Sequence, residues 1–180
     1  MANLPKSALL TEEHVALFLD YYELTMGQAD FDSSKNSICT ENYFARAIPQ
    51  GEYLIAAGLE QVIQYILNLR FSEGDLQWLQ SSKSIPEMSP RFVDYLRNFK
   101  FDGDVYAVPE GTIVLPNEPI INITGNSIDI QIFETYLLSV MNFQTLIATK
   151  ASRIVNVSGG RTCFDFGARR AHGRAAAIFS

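Results

Sequence analysis

Two adjacent arginines, Arg169 and Arg170, stand out in the segment FDFGARRAHG near the end of the chain. The pattern predicts a strand over residues 162–166 and a helix that starts after Gly167, so that both guanidinium groups project from the first helical turn. Unpaired backbone N–H groups and the positive helix end meet the arginines there, which suits a carboxylate or a phosphate. Phe166, at the end of the strand, could offer a ring face to a planar ligand.

A purely structural role for the two arginines is the alternative interpretation. Both side chains can be solvated, or paired with Asp165 and other surface carboxylates, and an isolated arginine pair is a weak motif. From spacing alone, both interpretations stay open. The letters DFG also occur in protein kinases, but the glycine-rich loop, the strand lysine and the HRD-type catalytic loop are missing upstream, which excludes a kinase.

A second candidate is the segment DYYELTM, residues 20–26. Tyr22 and Met26 are four residues apart and therefore share one face of a predicted helix, where a tyrosine ring could be held at the surface. Core packing of Tyr21 or Tyr22 is the alternative for this heptapeptide taken alone.

Composition and charge restrict the class of protein. The chain has 180 residues, of which 47% are hydrophobic, so it can bury a real core and is expected to be globular. A net charge of −6 argues against general binding of nucleic acid. The N-terminal segment makes a poor signal peptide, and no apolar run approaches the ~18 residues of a membrane span.

Few side chains are available for metal binding or disulfides. The two cysteines, Cys39 and Cys163, lie far apart in the sequence, and the two histidines, His14 and His172, complete no metal-site pattern. Reduced thiols in a cytoplasmic protein fit this usage best.

The first half of the chain is predicted to be mainly helical. One amphipathic helix is predicted to start at Thr11, its N-cap, and residues 49–71 are predicted to form a turn, a short extended piece and a second helix. Two shorter, peripheral helices follow, one capped by Ser72 and one capped by Ser89 with Pro90 at its first position. The apolar face of the first helix consists of Val15, Phe18, Leu19, Tyr22 and Met26, and that of the second of Leu59, Val62, Ile63, Ile66 and Leu67.

The second half changes character twice. Residues 104–126 are rich in proline, glycine and β-branched residues and predict a meander of short strands, with turns at Glu110-Gly111 and Asn117-Glu118. Residues 127–157 return to a helical pattern, for which we predict a break near Asn142 because a single helix would reach ~45 Å. The last strand and helix resemble the first unit of a larger parallel structure, so we expect a fragment.

Several long segments, in this order, closely resemble the N-terminal portion of the nicotinate phosphoribosyltransferase family. They are DYYELTM, AAGLEQVIQYI, FVDYLRNFKFDGDVYAVPEGTIVLPNEPIINITG, ETYLLSVMNFQTLIATKASRI and DFGARRAHG. Met26 and the Arg169–Arg170 pair match this family better than the related nicotinamide phosphoribosyltransferases.

The resemblance implies an enzyme of NAD salvage. Members of the family join nicotinate to the ribose C1 of phosphoribosyl pyrophosphate and form nicotinate mononucleotide, with ATP hydrolysis coupled through a phosphorylated histidine. It thus implies a ligase or glycosyltransferase type of activity that uses Mg²⁺ and ATP, in a cytoplasmic homodimer with composite sites, without nucleic acid or membrane partners.

The resemblance also implies roles for four residues. Tyr22 would stack on the pyridine ring from a neighbouring subunit of a head-to-tail dimer, and Phe166 would lie against the other face. Arg169 would contact the ribose 5-phosphate or the substrate carboxylate, and Arg170 would support it or bind the other anion. No catalytic residue or metal ligand is expected in this chain, because the phosphohistidine would lie beyond Ser180, and His172 is expected to be a solvated helix residue.

The implied fold is α/β. Residues 1–127 match the family's N-terminal domain, residues 128–160 form bridging helices, and residues 161–180 open an irregular, TIM-like catalytic barrel that is truncated here. The chain alone would then be inactive, and the alternative function is a non-catalytic remnant or interaction module with half of the family fold. The truncated barrel unit would leave apolar side chains exposed, namely Ile154, Val155, Phe164, Ile178 and Phe179.

Overall fold

The computed structural model describes residues 12–46, 53–83, 85 and 87–179. These residues form a 3₁₀ helix at Glu12–Leu17, a second at Ala168–Arg170, six α-helices and five β-strands. The helices are α1 (Tyr21–Asp32), α2 (Leu59–Asn68), α3 (Glu73–Ser81), α4 (Pro90–Arg97), α5 (Ser127–Val157) and α6 (Arg174–Phe179). The strands are β1 (Ile38–Phe44), β2 (Leu54–Ile55), β3 (Asp104–Ala107), β4 (Ile113–Val114) and β5 (Pro119–Asn126). The chain divides into two compact units.

The first unit contains residues 1–39, 65–103 and 125–136 and is mostly helical. Its core is built from α3, α4 and the first ten residues of α5, so the prediction that α3 and α4 are peripheral is wrong. Each of these helices presents apolar side chains at helical spacing, and such a stripe must be covered for the helix to be stable. The core side chains include Leu76, Leu79, Phe92, Val93, Leu96, Ile128, Ile132 and Phe133, all at most 1% exposed.

Both predicted caps are confirmed in this unit. The Ser72 hydroxyl accepts a hydrogen bond from Asp75 N, and the Asp75 carboxylate accepts one from Ser72 N, which completes a capping box for α3. Ser89 accepts a hydrogen bond from Phe92 N at the start of α4, and Pro90 occupies the first helical position.

The predicted N-terminal helix is interrupted. A 3₁₀ helix ends at Leu17 and α1 begins only at Tyr21, with Asp20 as an extended N-cap (φ −71°, ψ 134°). His14 already departs from helical geometry (φ −117°, ψ 15°). The predicted cap, Thr11, lies outside the described residues. Tyr22 therefore lies in the first turn of a new helix.

The second unit contains residues 40–64, 104–124 and 137–180. The predicted strand meander is present as β3, β4 and β5, which pair with β1 and β2 to form two sheets. One has the order β1-β5-β3, with β3 and β5 antiparallel from Asp104 opposite Thr124 to Ala107 opposite Ile121. The other pairs β2 with β4, with Leu54 opposite Val114. Turns form at Gly111 and Asn117, which have φ values of +81° and +64° as glycine and asparagine permit.

The buried face of α2 differs from the prediction. Ile63 and Leu67 are 38% and 66% exposed, whereas Val62, Tyr65 and Ile66 are buried together with Leu69, just beyond the helix end. These four buried residues follow an i, i+3, i+4, i+7 stripe that includes Tyr65, a residue the sequence analysis did not count as apolar.

Helix α5 runs without a break through its 31 residues, a length of about 46 Å, so the predicted interruption near Asn142 is wrong. The Tyr43 hydroxyl donates a 2.9 Å hydrogen bond to Asn142 Oδ1, which keeps the amide from competing for the backbone. The Thr145 and Thr149 hydroxyls accept hydrogen bonds from the backbone N–H groups of Ala57 and Ile55. Contacts with distant residues therefore support the middle of this helix.

The last predicted strand is also absent. Residues 161–167 have no regular structure, and the helix expected after Gly167 is a three-residue 3₁₀ helix followed, after a bend, by the six residues of α6. A strand needs a ladder partner, and the described residues provide none here. The predicted exposure of apolar side chains in this part of the chain is confirmed, with Ile154, Val155, Phe164, Ile178 and Phe179 between 40% and 76% exposed.

Candidate functional site

Tyr22 lies on the surface of the first unit. Its side chain is 50% exposed, and Met26, one turn further along α1, is 49% exposed on the same face. The alternative prediction, core packing of Tyr21 or Tyr22, is therefore wrong for Tyr22, and Tyr21 is only half-buried. The Glu134 carboxylate, followed by burial, raises the pKa of the Tyr22 phenol, so this ring stays protonated at neutral pH. The result is an accessible, neutral aromatic face.

A buried carboxyl group follows Tyr22 in the first turn of α1. Glu23 is 1% exposed, and its Oε1 accepts a 2.7 Å hydrogen bond from the Thr135 hydroxyl of α5. Burial raises the pKa of Glu23 to about 7, with smaller contributions in the same direction from the charges of Glu134 and Asp20, while the hydrogen bond from Thr135 opposes the shift. The Glu23 carboxyl group therefore titrates near neutral pH.

The segment that carries the arginines forms a tight turn. Asp165 Oδ1 accepts a 2.8 Å hydrogen bond from Gly167 N, an Asx turn in which the aspartate side chain bonds the backbone two residues on. A Cβ atom at Gly167 would lie 2.8 Å from that same carboxylate oxygen. Glycine therefore lets the turn close.

The two arginines form no ion pair among the residues that the structure describes. Arg169 donates a 2.8 Å hydrogen bond from its guanidinium group to the Phe166 carbonyl, and both guanidinium-bearing residues are exposed. Their predicted alternative partner, Asp165, uses one carboxylate oxygen for the turn. Both cations thus remain available to an anion in solution. The predicted contribution of a helix terminus is wrong, because a three-residue 3₁₀ helix has no appreciable dipole.

Phe166 and Phe164 present an aromatic pair beside the arginines. They are 78% and 76% exposed, with ring centroids 6.4 Å apart and ring planes inclined by 37°. Phe166, Arg169 and Arg170 belong to the second unit, whereas Tyr22 belongs to the first.

The described residues contain no cluster of three or more His, Cys, Asp or Glu side chains that could hold a metal ion. His172 is exposed in a bend, and not on a helix as predicted. His14 Nδ1 lies 2.8 Å from Asp75 Oδ1, next to the capping box of α3. In the same described part of the chain, no helix is long and apolar enough to cross a membrane.

Sequence reasoning missed Glu23 and Thr135. The spacing of Asp20 and Glu23 is that of a capping box at a helix start, a signal that could have identified Glu23. Thr135 carries no local signal, because its contact with Glu23 joins residues 112 positions apart.

Comparison with a family model matches residues 17–142 to the nicotinate phosphoribosyltransferase (NAPRTase) N-terminal domain. The chain is 41% identical over 167 residues to nicotinate phosphoribosyltransferase pncB2 of Mycobacterium tuberculosis, covering 92% of this chain and 35% of that protein. It is 37% identical over 171 residues to nicotinate phosphoribosyltransferase of Bacillus subtilis, covering 93% of this chain and 34% of the relative.

Two solved structures are similar. The crystal structure of human nicotinic acid phosphoribosyltransferase superposes with a TM-score of 0.78 at 29% identity, over 89% of this chain and 33% of the human chain. Nicotinate-nucleotide pyrophosphorylase from Pyrococcus furiosus superposes with a TM-score of 0.68 at 22% identity, over 98% of this chain and 39% of that one, a likeness of fold. The chain thus spans about a third of the length of the relatives it matches.

Proposed function

Because this chain belongs to the nicotinate phosphoribosyltransferase family, we propose that it is the N-terminal part of an enzyme that makes nicotinate mononucleotide. The reaction joins the nicotinate nitrogen to the ribose C1 of phosphoribosyl pyrophosphate and releases pyrophosphate, coupled to ATP hydrolysis. The activity places the protein in NAD biosynthesis by salvage.

The observation that carries the proposal is the chemistry of the exposed residues. Nicotinate is a flat anion, and phosphoribosyl pyrophosphate carries a 5-phosphate. The chain presents Tyr22 and Phe166, each at least half exposed, and two arginines without ion pairs among the described residues. Aromatic faces and planar guanidinium forks are the side chains that suit these ligands.

We assign the roles accordingly. Tyr22 stacks on one face of the pyridine ring and Phe166 lies against the other. Arg169 binds the ribose 5-phosphate or the nicotinate carboxylate, and Arg170 supports it or binds the second anion. The two aromatic side chains hold the pyridine ring between them, and the arginines fix the anionic groups of the substrates. The pyridine nitrogen is thereby aligned with a ribose C1 that develops oxocarbenium character.

Magnesium, ATP and the phosphorylated histidine are assigned to the rest of the protein. The described residues gather no set of ligands for a divalent ion. When bound, Mg²⁺ would neutralise the departing pyrophosphate.

We also propose the domain organisation that the family resemblance implies. Residues 1–127 form the N-terminal domain, residues 128–160 bridge, and residues 161–180 open an irregular, TIM-like α/β barrel. The exposed side chains of Phe164, Ile178 and Phe179 support this, because apolar surface of this kind is covered in a complete domain.

We further propose a cytoplasmic head-to-tail homodimer in which Tyr22 of one subunit completes the site that holds Arg169 of the other. Mixing the Tyr22→Ala and Arg169→Ala enzymes, each impaired at subsaturating nicotinate, should then restore part of the activity, because some hybrid dimers contain one intact site. No recovery despite proven subunit exchange would place both residues in one subunit's site.

A chimeric enzyme tests the function. This chain replaces the matching third of M. tuberculosis pncB2, and formation of nicotinate mononucleotide is measured with nicotinate and phosphoribosyl pyrophosphate, with and without ATP. We expect the chimera to be active and the 180-residue chain alone to be inactive. A folded but inactive chimera would overturn the proposal, and turnover by the purified chain alone would refute its dependence on the remaining two thirds.

A further inference from the structure

The first turn of α1 is closed by a ring of three hydrogen bonds. Glu23 N donates to the Asp20 carbonyl at 3.0 Å, and Asp20 N donates to Thr135 Oγ1 at 3.1 Å. Thr135 Oγ1 in turn donates to Glu23 Oε1 at 2.7 Å. The ring starts and ends on the two residues that flank Tyr21 and Tyr22.

This ring is an enlarged capping box. In an ordinary box the N3 carboxylate accepts directly from the N-cap N–H, as Asp75 does from Ser72 at 2.8 Å in α3 of the same unit. In α1 the Thr135 hydroxyl stands between the equivalent groups, and the Asp20 side chain makes no capping hydrogen bond. The helix start therefore depends on a residue of α5.

Thr135 is well suited to fix that start. It follows two fully buried side chains, Ile132 and Phe133, which anchor this part of α5 in the core. Its single hydroxyl both accepts from Asp20 and donates to Glu23, so the register of α1 against α5 is set at one atom. Tyr22 occupies the second position of the turn held in this way.

Glu23 is costly for stability. The residue is 1% exposed, and its Oε2 has no hydrogen-bond partner among the described residues, nor has the buried hydroxyl of Tyr65 from α2. The charges of Asp20 and Glu134 also disfavour its ionised form, and the charge of Glu23 in turn disfavours ionisation of Tyr65. A buried carboxyl under these conditions calls for a role beyond stability.

We propose that Glu23 and Thr135 are positioning residues that fix the ring of Tyr22 for stacking on the pyridine substrate. The inference rests on the proposed function, in which Tyr22 contacts nicotinate. The two residues act through the helix start and do not touch substrate themselves.

The kinetic test uses the chimeric enzyme and four variants. Thr135→Val removes the hydroxyl at nearly constant volume, and Glu23→Met removes the acceptor. Thr135→Ser keeps the hydroxyl, and Glu23→Gln keeps an acceptor for it. We expect Thr135→Val and Glu23→Met to raise the KM for nicotinate about two- to ten-fold with little change in kcat, as loss of a hydrogen bond implies. Thr135→Ser and Glu23→Gln should keep a KM close to that of the parent enzyme.

Thr145→Val is the matched control. Thr145 lies on the same helix and is buried, whereas Thr135 is half-buried, and the Thr145 hydroxyl likewise makes two hydrogen bonds, accepting from Ala57 N and donating to Ala57 O. It belongs to the second unit. We expect this variant to lose stability without any change in the KM for nicotinate. An equal rise of KM in Thr145→Val and Thr135→Val would mean that loss of stability alone explains the effect of Thr135→Val, and this would overturn the proposal.

Two further readouts separate this inference from the proposed function. If Tyr22→Ala raises the KM but Thr135→Val and Glu23→Met do not, positioning is refuted while stacking stands. If Tyr22→Ala itself leaves the KM unchanged, the proposed contact is refuted. Independently of activity, amide exchange at Asp20 N in the 180-residue chain should be about two- to ten-fold faster in Thr135→Val than in Thr135→Ser, and equal rates would refute the hydrogen-bond ring.

Discussion

The Asp165 carboxylate accepts a 2.8 Å hydrogen bond from Gly167 N, and this bond engages the acidic group that is nearest in sequence to Arg169 and Arg170. The arginines are thereby presented on a defined turn, with Arg169 bonded to the Phe166 carbonyl. The turn is local, since it closes within residues 165–169.

Removing the turn should weaken substrate binding in the chimeric enzyme. We expect Asp165→Ala to lower kcat/KM about two- to ten-fold, because the arginines must then be ordered on binding. Asp165→Asn is the matched control, since its side-chain oxygen can still accept from Gly167 N, and it should lose less. Equal losses in the two variants would mean that the charge of Asp165 matters and the turn does not.

The stability of the chain should fall as the pH rises toward neutrality. The pKa of Glu23 is raised from 4.5 to about 7, so between these values the folded state binds more protons than the unfolded state. Relative to high pH, this proton uptake favours the folded state fully below pH 4.5, and the advantage is lost as the pH passes about 7. The free energy of unfolding falls by about 1–3 kcal/mol over this range. Denaturant unfolding at pH 5, 6, 7 and 8 measures it, and Glu23→Gln should remove this part of the slope. The same slope in both proteins would contradict the assignment.

Gly125 is needed where β5 passes an aromatic ring. A Cβ atom there would lie 2.8 Å from Phe101 Cε2, and that ring packs edge-on against the buried ring of Phe133 with centroids 5.1 Å apart. Gly125→Ala should therefore cost about 1–3 kcal/mol of unfolding free energy through overpacking.

Gly74→Ala should change the free energy of unfolding in the opposite direction, toward higher stability. Its added Cβ would make only ordinary contacts, 3.6 Å from Ser72 Oγ, inside α3, so we expect a gain of about 0.5–1 kcal/mol. Thermal or denaturant unfolding of both variants checks the pair, and a stabilising Gly125→Ala would contradict the packing described for Phe101.

The isolated chain should associate in solution. Its C-terminal part exposes Phe164, Phe166 and Ile178 to 73–78%, and exposed apolar surface of this kind favours self-association. Light scattering during size-exclusion chromatography should detect dimers or larger species, and Phe164→Ser with Ile178→Ser should reduce them. A monodisperse monomer with cooperative thermal unfolding would contradict this expectation.

Local features of the fold could be predicted from the sequence. The caps at Ser72 and Ser89 and the turns at Gly111 and Asn117 depend on residues within a few positions, and all four are present. The strand meander was predictable for the same reason, although the pairing of β2 with β4 was not.

Three of the errors involve distant partners. The continuity of α5 at Asn142 depends on Tyr43, and the buried stripe of α2 depends on what covers it, which places Tyr65 inside and Leu67 outside. The predicted strand at residues 162–166 lacks a pairing neighbour among the described residues. Propensity is a weak prior that such tertiary contacts override.

For the candidate site, the sequence predicts the exposed candidate residues but not the contacts that position them. Local segments predicted Tyr22, Phe166 and the two arginines as candidates, and the structure shows that all four are exposed. The contact of Thr135 with Glu23 spans 112 positions, so no local pattern announces it.

Steady-state kinetics of Tyr22→Ala and Arg169→Ala in the chimeric enzyme test the central claim most directly. Loss of one stacking face is worth ~1–3 kcal/mol on the scale of base–aromatic stacking, and loss of a charge-assisted contact about 1.5–3 kcal/mol. We expect Tyr22→Ala mainly to raise the KM for nicotinate, and Arg169→Ala also to lower kcat, because placement of the phosphoribosyl group matters at the transition state. Unchanged kinetics in both variants would contradict the assignment of the site.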